Sequence, residues 1–375
     1  MNSEQIKIGV LYPLSEQYKN IGTDFIKGLK LKQLPVKFFV ESIGIGNDDK
    51  LAIDKMQKMH LQDDVQVFVA FTGHNNIDNL YSYAELNNIV LIVNDLGATL
   101  PFNSAKKKGV FINSYALNES IYLLGKSLKE RGHIAICTST SYYDAGYGFL
   151  MALESGVTET GLRLSGHYIT PFQPRENEPE CMQQTITSAS PDAVVAFHSG
   201  LYAQEHKDFI FNTSLLGSYP YYVTPFTLSD GFIQQNTAGE LLVVSSWMPG
   251  VANDDFYTSY KEKHNEKPTV FALLGYESYL LLSEIIDKEA GSYDAMCSTI
   301  NNCTIEGPRG TITFDNETNR TFFNHYIFKT IAYDENNFSF QQVETLKNDG
   351  GFLKRVLQMP VPPKLGGWHN AYLCH

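Results

Sequence analysis

The chain has 375 residues, with 29 Lys and Arg against 41 Asp and Glu for a formal net charge of −12. Its length fits two domains at about 150 residues each, and so acidic a surface repels a polyanion, which excludes nucleic acid as a partner. A hydrophobic content of 43%, with 28 Gly and 15 Pro, excludes disordered and collagen-like chains.

Short β-branched runs alternate with helix-length segments. Ile6 to Tyr12, Val36 to Val40, Val65 to Phe71 and Ile89 to Val93 read as strands. Between them Ile21 to Lys32, Asp48 to Gln62 and Asn76 to Leu86 read as helices. Strands fed by crossover helices indicate a parallel, doubly wound sheet. Leu117, Ile121, Leu124 and Leu128 mark one face of a further helix. The rhythm then restarts with a strand from His133 to Thr138 and a helix from Tyr147 to Thr160. It continues with strands Ala193 to Phe197, Tyr221 to Thr224 and Leu241 to Ser245, and helices Ala203 to Phe211, Asp254 to Asn265 and Phe271 to Lys288. Thr311 to Phe314 and His325 to Ala332 read as an antiparallel pair. Met359-Pro360-Val361-Pro362-Pro363 is too rich in proline for regular structure. Two βα series predict two α/β lobes with a cleft between them.

No apolar run approaches the roughly 18 residues needed to span a bilayer. Met1-Asn2-Ser3-Glu4-Gln5 is polar and shows no signal-peptide pattern. The expectation is either a cytosolic protein or a mature export product whose signal has been removed. Five cysteines leave at least one thiol free within a single chain. Cys297 and Cys303 are close enough in sequence for a local disulfide, and two free thiols fit equally well.

Catalytic signatures are sparse. The chain lacks a phosphate-binding G-x-x-x-x-G-K-[ST], an H-E-x-x-H zinc motif and a G-x-S-x-G nucleophile elbow. Gly44-Ile45-Gly46 lacks the third glycine of a dinucleotide fingerprint. Asp48-Asp49, Asp63-Asp64 and Asp254-Asp255 lie at helix boundaries, where carboxylates serve as caps or complement the dipole. His369, Cys374 and His375 read as a terminal tail before a metal site. No metal and no cofactor is expected.

In open α/β sheets, ligands bind beyond the carboxyl ends of the strands. The residues there are Ser15 after the first strand, Thr72, Gly73, His74 and Asn75 after the third, and Asp95, Leu96 and Thr99 after the fourth. The second series contributes Tyr142, Tyr143, Asp144, His198, Phe226 and Trp247, and Tyr276 completes the candidate ligand-binding set. Aromatic walls with a few polar anchors are the usual lining of a small-molecule cleft.

Ile6-Lys7-Ile8-Gly9-Val10-Leu11-Tyr12-Pro13-Leu14-Ser15, with Gly22 and Gly28 following, resembles the opening of the type I periplasmic binding proteins. The similarity is to the leucine/isoleucine/valine- and amide/urea-binding branch that serves ABC transporters. Tyr143 to Gly148, Phe271 to Glu277 and Gly307 to Asp315 agree with it in order and spacing. The resemblance implies an α/β fold of two Rossmann-like lobes with parallel sheets, joined by three crossovers, with ligand bound in the cleft between them. It divides the chain into residues 1–118 plus 250–328 and residues 119–249 plus 329–375. It implies a non-enzymatic protein outside the cytoplasm, periplasmic or at the cell surface. Such a protein captures a small polar metabolite (an amino acid, amide or aromatic carboxylate) and delivers it to an ABC permease. The membrane enters only through the permease or a removed lipid anchor. Thr72 to His74 and Leu96 to Thr99 would hold a ligand carboxylate, and Tyr142, Tyr143 and Phe226 would cover its side chain. Amino-acid-binding relatives place an acidic residue, for the ligand ammonium, where this chain has Pro225-Phe226. Asp95, Asp144 or the more distant Asp230 could replace it, or the ligand lacks an ammonium. Glu16 also stands where a small residue is usual. A sensory receptor domain on the same fold and a cytosolic α/β enzyme are the alternatives.

Overall fold

Near-continuous apolar runs form two sheets in a computed structural model that describes residues 5–73, 77–228, 232, 240–251, 255–332, 338–363 and 367–375. The first sheet contains β1 (Ile6–Tyr12), β2 (Val36–Ser42), β3 (Val67–Phe71), β4 (Val90–Asp95) and β5 (Val110–Ser114). Its order is β2-β1-β3-β4-β5 and every pairing is parallel. β3, β4 and β5 are buried along their whole length, as strands covered on both faces must be. The helices α1 (Ile21–Leu29), α2 (Asp49–Asp63) and α3 (Asp78–Leu86) link these strands. Asp48 caps α2 as its position suggested, its Oδ1 accepting from the Lys50 amide at 2.8 Å.

The second sheet repeats the plan. Its parallel part is β6 (Ala135–Ser141), β7 (Arg163–Thr170), β8 (Ala193–Phe197), β9 (Tyr221–Val223) and β10 (Leu241–Ser245). The helices α4 (Leu117–Ser127), α5 (Phe149–Thr160), α6 (Glu178–Ser188), α7 (Gly200–Phe211) and the short α8 (Leu215–Ser218) accompany it. α9 (Asp255–His264), α10 (Val270–Asp287) and α11 (Tyr293–Asn301) follow, and α10 returns to pack on α1 of the first lobe. That contact is backbone to backbone: a Cβ on Gly275 would stand 2.0 Å from the Phe25 carbonyl oxygen, and one on Gly28 would stand 1.9 Å from that of Ala272.

One expected pairing is wrong. Gly310–Ile312 (β12) pairs with Ile305–Gly307 (β11) in a separate ribbon. His325–Ala332 (β13) instead joins the second sheet, antiparallel to β10 and to Phe338–Leu346 (β14). The second sheet thus runs β14-β13-β10-β9-β8-β6-β7, and α12 (Gly351–Gln358) closes the regular structure with Phe352 stacked on Tyr122 of α4. The sequence misleads here because β13 takes as neighbours β10, whose residues pair with it from Leu242↔Lys329 to Ser245↔Tyr326, and the following strand β14, rather than the strand just before it. The chain passes between the sheets three times: after β5, after β10 and between β12 and β13. All five cysteines are free thiols, including Cys297 and Cys303. No described helix is long and apolar enough to cross a membrane.

Candidate functional site

Both parallel sheets share one topology, in which the first strand lies between the second and the third. In such a sheet the crevice opens where strand order reverses, at the carboxyl ends of the first and third strands. In the first lobe those ends deliver Ser15 and Thr72, and in the second they deliver Asp144 and Ser199. The two crevices face each other, and the geometry between them follows from residues brought in by the loops after the strands of both sheets.

Asp144 is the polar centre. It is fully buried and its carboxylate is saturated with donors. Oδ2 accepts from the Ser141 hydroxyl at 2.5 Å and the Ser199 amide at 3.0 Å, and Oδ1 accepts from the Ser199 hydroxyl at 2.9 Å. The Tyr372 hydroxyl donates to Oδ1 at 2.5 Å. Burial pushes the Asp144 carboxyl up to about 6, and the four donors hold it from rising further. Tyr143, also buried, packs against His375 with ring centroids 3.8 Å apart and the planes tilted by 31°. Its hydroxyl accepts from the Leu373 amide at 3.1 Å.

The cleft is therefore filled by the chain's own residues 367–375. From the first lobe, the Ser15 hydroxyl donates to the Leu373 carbonyl at 2.5 Å. The Glu16 amide donates to the main-chain oxygen of His375 at 3.2 Å, and the Ile45 carbonyl accepts from the Ala371 amide at 3.0 Å. From the second lobe, the Tyr143 carbonyl accepts from the Trp368 indole at 2.8 Å. The Tyr372 ring is enclosed by Tyr147, Phe149 and Phe226, with centroids 4.7, 5.2 and 6.0 Å away. Between Tyr372 and the loops of Thr72 and of Asp95 to Thr99 remains a cavity of about 10 Å³, room for about one water molecule. The buried Thr72 hydroxyl has no hydrogen-bond partner there.

Nine of the residues singled out from sequence meet around this segment: Ser15, Thr72, Gly73, Asp95, Leu96, Thr99, Tyr143, Asp144 and Phe226. Gly73 is pressed so close to Ala371 that a Cβ would stand 2.9 Å from its Cα. Asp95 is held by the Ser114 hydroxyl at 2.5 Å. Tyr142 is exposed at the rim, its ring 5.7 Å from that of Trp368. Three others pack in different groups. His198 stacks on His206 at 3.8 Å and meets the Ser139 hydroxyl at 3.1 Å. Trp247 and Tyr276 pack against Phe256, 6.0 and 4.8 Å away, beside the second crossover. His74, Asn75 and Asp230 lie outside the described residues. Among the described residues no cluster of His, Cys, Asp and Glu could hold a metal ion.

Sequence reasoning missed Tyr18, whose hydroxyl accepts from the Gly200 amide across the cleft at 2.9 Å. Its place three residues after Ser15 was the available signal. Tyr372 follows a proline-rich stretch that reads as a tail, and the available signal is the pair Trp368 and Tyr372 within five residues. A larger cavity of about 390 Å³ opens away from the cleft, lined by Lys106, Lys107, Arg320 and Lys354 among others. Its lysines already face carboxylates or a carbonyl: Lys107 meets Glu85, Lys354 meets Asp315 and Glu317, and Lys106 donates to the Asn316 carbonyl.

Residues 5–334 match the periplasmic binding protein family. No curated protein sequence matches the chain. Among solved structures, an ABC transporter substrate-binding protein from Sphaerobacter thermophilus is similar, with a TM-score of 0.76 at 18% identity over 92% of this chain and 98% of that one. An amino acid ABC transporter substrate-binding protein from Pseudomonas fluorescens matches with a TM-score of 0.75 at 14% identity, over 96% and 100% of the two chains. A solute-binding protein of an ABC transporter from Rhodopseudomonas palustris, solved with p-hydroxybenzoic acid, matches with a TM-score of 0.71 at 16% identity, over 92% and 97%.

Proposed function

The chain belongs to the periplasmic binding protein family, and from that premise we propose that it is an extracytoplasmic solute-binding protein. It captures a small polar metabolite between its lobes and delivers it to an ABC permease, acting by binding and release rather than by turnover. One observation carries this reading: the switch-point crevices of the two sheets face each other, so that Ser15 and Thr72 oppose Tyr143 and Asp144 across a single cleft. A ligand there would bridge both lobes. Rotation about the three crossovers would then couple its binding to closure.

The ligand classes to consider are aromatic carboxylates and amino acids. The p-hydroxybenzoic acid complex and the amino acid transporter protein support one each. Phe226 stands near the position where amino-acid-binding relatives place the ammonium's partner, and aromatic rings dominate the second lobe's side of the cleft. These features favour the aromatic carboxylate. We divide the chain near residues 118 and 250, where it crosses after β5 and after β10. By its pairing with β10 the β13 strand, from His325, goes with the second lobe.

The test is calorimetric titration and thermal shift of the full chain and its Tyr372→Ala variant with benzoate, hydroxybenzoates, amino acids, amides and urea. A ligand at 100 times its Kd raises stability by about 2.7 kcal/mol. Saturable binding by either protein supports the reading. A flat response from both at millimolar concentrations, or chemical conversion of a bound compound, overturns it.

A further inference from the structure

The cleft that the fold provides for a solute already contains a partner of defined chemistry. We propose that residues 367–375 are a tethered occupant of the interlobe cleft, that the Tyr372 side chain fills the ligand's own slot, and that the free ligand is a phenol that binds by displacing it. The proposal rests on the solute-binding reading.

Three observations support it. The segment contacts both lobes at once, through Ser15, Glu16 and Ile45 on one side and Tyr143 and Asp144 on the other. That is the pattern of a cleft ligand, not of a strand or helix added to a surface. The Tyr372 side chain is a complete phenol in a matched slot, its ring walled by Tyr147, Phe149 and Phe226 and its hydroxyl donating to Asp144. Finally, the remaining space beside it is about 10 Å³, too little for any organic molecule, so a second ring cannot enter while Tyr372 is present.

The slot also sets a chemical requirement. Asp144 is fully buried and accepts hydrogen bonds from Ser141, Ser199 and Tyr372. A ligand that replaces Tyr372 without a hydroxyl removes one donor from a buried carboxylate, which costs far more than an unfavourable contact at a surface. A hydroxylated ring restores it. The unpartnered Thr72 hydroxyl lines the residual cavity beside Tyr372 and is available to a second polar group of the ligand.

Two measurements on the full chain test this. The first is hydrogen exchange of residues 367–375 in the unliganded protein. Slow exchange at Ala371 and Leu373, whose amides are bonded to Ile45 and Tyr143, is expected; exchange at the rate of an unstructured peptide overturns the proposal whatever the ligand proves to be. The second uses the two tryptophans of the sequence. In a Trp247→Phe background Trp368 alone emits, and 4-hydroxybenzoate is titrated against benzoate. The expected result is a red shift of Trp368 emission as 4-hydroxybenzoate binds, a gain in affinity of tenfold or more in Tyr372→Ala, and at least tenfold weaker binding of benzoate. Binding of equal strength in both proteins with Trp368 unmoved overturns displacement and leaves the solute-binding reading standing. Equal affinity for benzoate overturns the phenol requirement. Binding of 4-hydroxybenzoate by neither protein, with the segment still protected, overturns displacement by a phenol, whereas the solute-binding reading falls only if the whole panel of amino acids, amides, urea and aromatic carboxylates leaves both proteins unchanged.

Discussion

Arg309 clasps Glu277 bidentately at the meeting point of the crossovers, Nε to Oε1 at 2.8 Å and Nη2 to Oε2 at 2.5 Å, and both side chains are excluded from solvent. The guanidinium also donates to the Ser114 carbonyl at 2.8 Å and to the Asn113 side chain at 2.9 Å, and lies 4.0 Å from the Phe323 ring centroid. It therefore joins the end of β5, α10 and the segment before β13. Removing one partner of such a pair leaves a buried charge unmatched.

Arg309→Met is expected to lower stability by about 3–5 kcal/mol. The double variant Arg309→Met with Glu277→Leu should recover part of that loss. Urea unfolding of the single and double variants checks this, and a double variant as damaged as the sum of its parts would show that the two residues act separately.

Acid should destabilise the fold through its buried histidines. His206 stacks on His198 with neither ring nitrogen hydrogen-bonded, and burial pushes it down to about 3. His325 is likewise pushed down to about 3, by burial first and Arg309 second. In the unfolded chain a histidine takes up its proton near 6.5. The stability these rings contribute is thus present above pH 6.5 and lost as pH falls from 6.5 towards 3. Glu119, pushed up to about 7 by burial, works with the opposite sign: its folded form binds the proton more tightly, so its contribution is lost as pH rises from the unfolded value through 7. His206→Phe keeps the stacked ring and removes one proton from the balance. Between pH 7 and pH 5 it should lose about 2 kcal/mol less than the wild type. Chemical denaturation at the two pH values measures this, and parallel losses would refute it.

Gly275→Ala should separate α1 from α10, because its Cβ would fall 2.0 Å from the Phe25 carbonyl oxygen. Overpacking of this kind costs about 1–3 kcal/mol, and a backbone oxygen has less room to yield than a side chain. A fall in Tm of at least several degrees is expected by calorimetry. An unchanged Tm would mean that the helices slide apart freely.

Tyr18→Phe removes the hydroxyl that accepts from the Gly200 amide across the cleft but keeps the edge contacts with Phe226 and Phe271. A hydrogen bond of this kind is worth about 0.5–1.5 kcal/mol. The variant should favour the open form by a few-fold, seen as a larger radius of gyration in solution scattering. An identical scattering curve would remove Tyr18 from the closure machinery.

The repeating βα order was legible because β3, β4, β8 and β10 are buried runs whose composition permits little else. β7 was not, since Arg163, Ser165, Gly166 and His167 break the apolar pattern of an edge strand. Nor was α6, which opens on the polar Glu178-Pro179-Glu180. Cleft-lining residues directly after strands are legible by position alone, as with Ser15, Thr72 and Asp144. The role of Tyr372 is not, because a residue 228 positions away from Asp144 in the chain leaves no local pattern. His198 and Trp247 show the converse: each follows a strand, yet each side chain turns into neighbouring packing.

The bond from Ser15 to Leu373 joins residues 358 positions apart, which gives it a place in time as well as in space. Contacts of such separation are met late in folding, since the entropy of closing the intervening loop is offset only after shorter-range structure has formed. Each lobe can therefore consolidate around its own sheet while the space between them is still vacant. Refolding in the presence of a ligand should accordingly trap it faster than the mature protein binds it, so that the order of events, and not affinity alone, decides the first occupant.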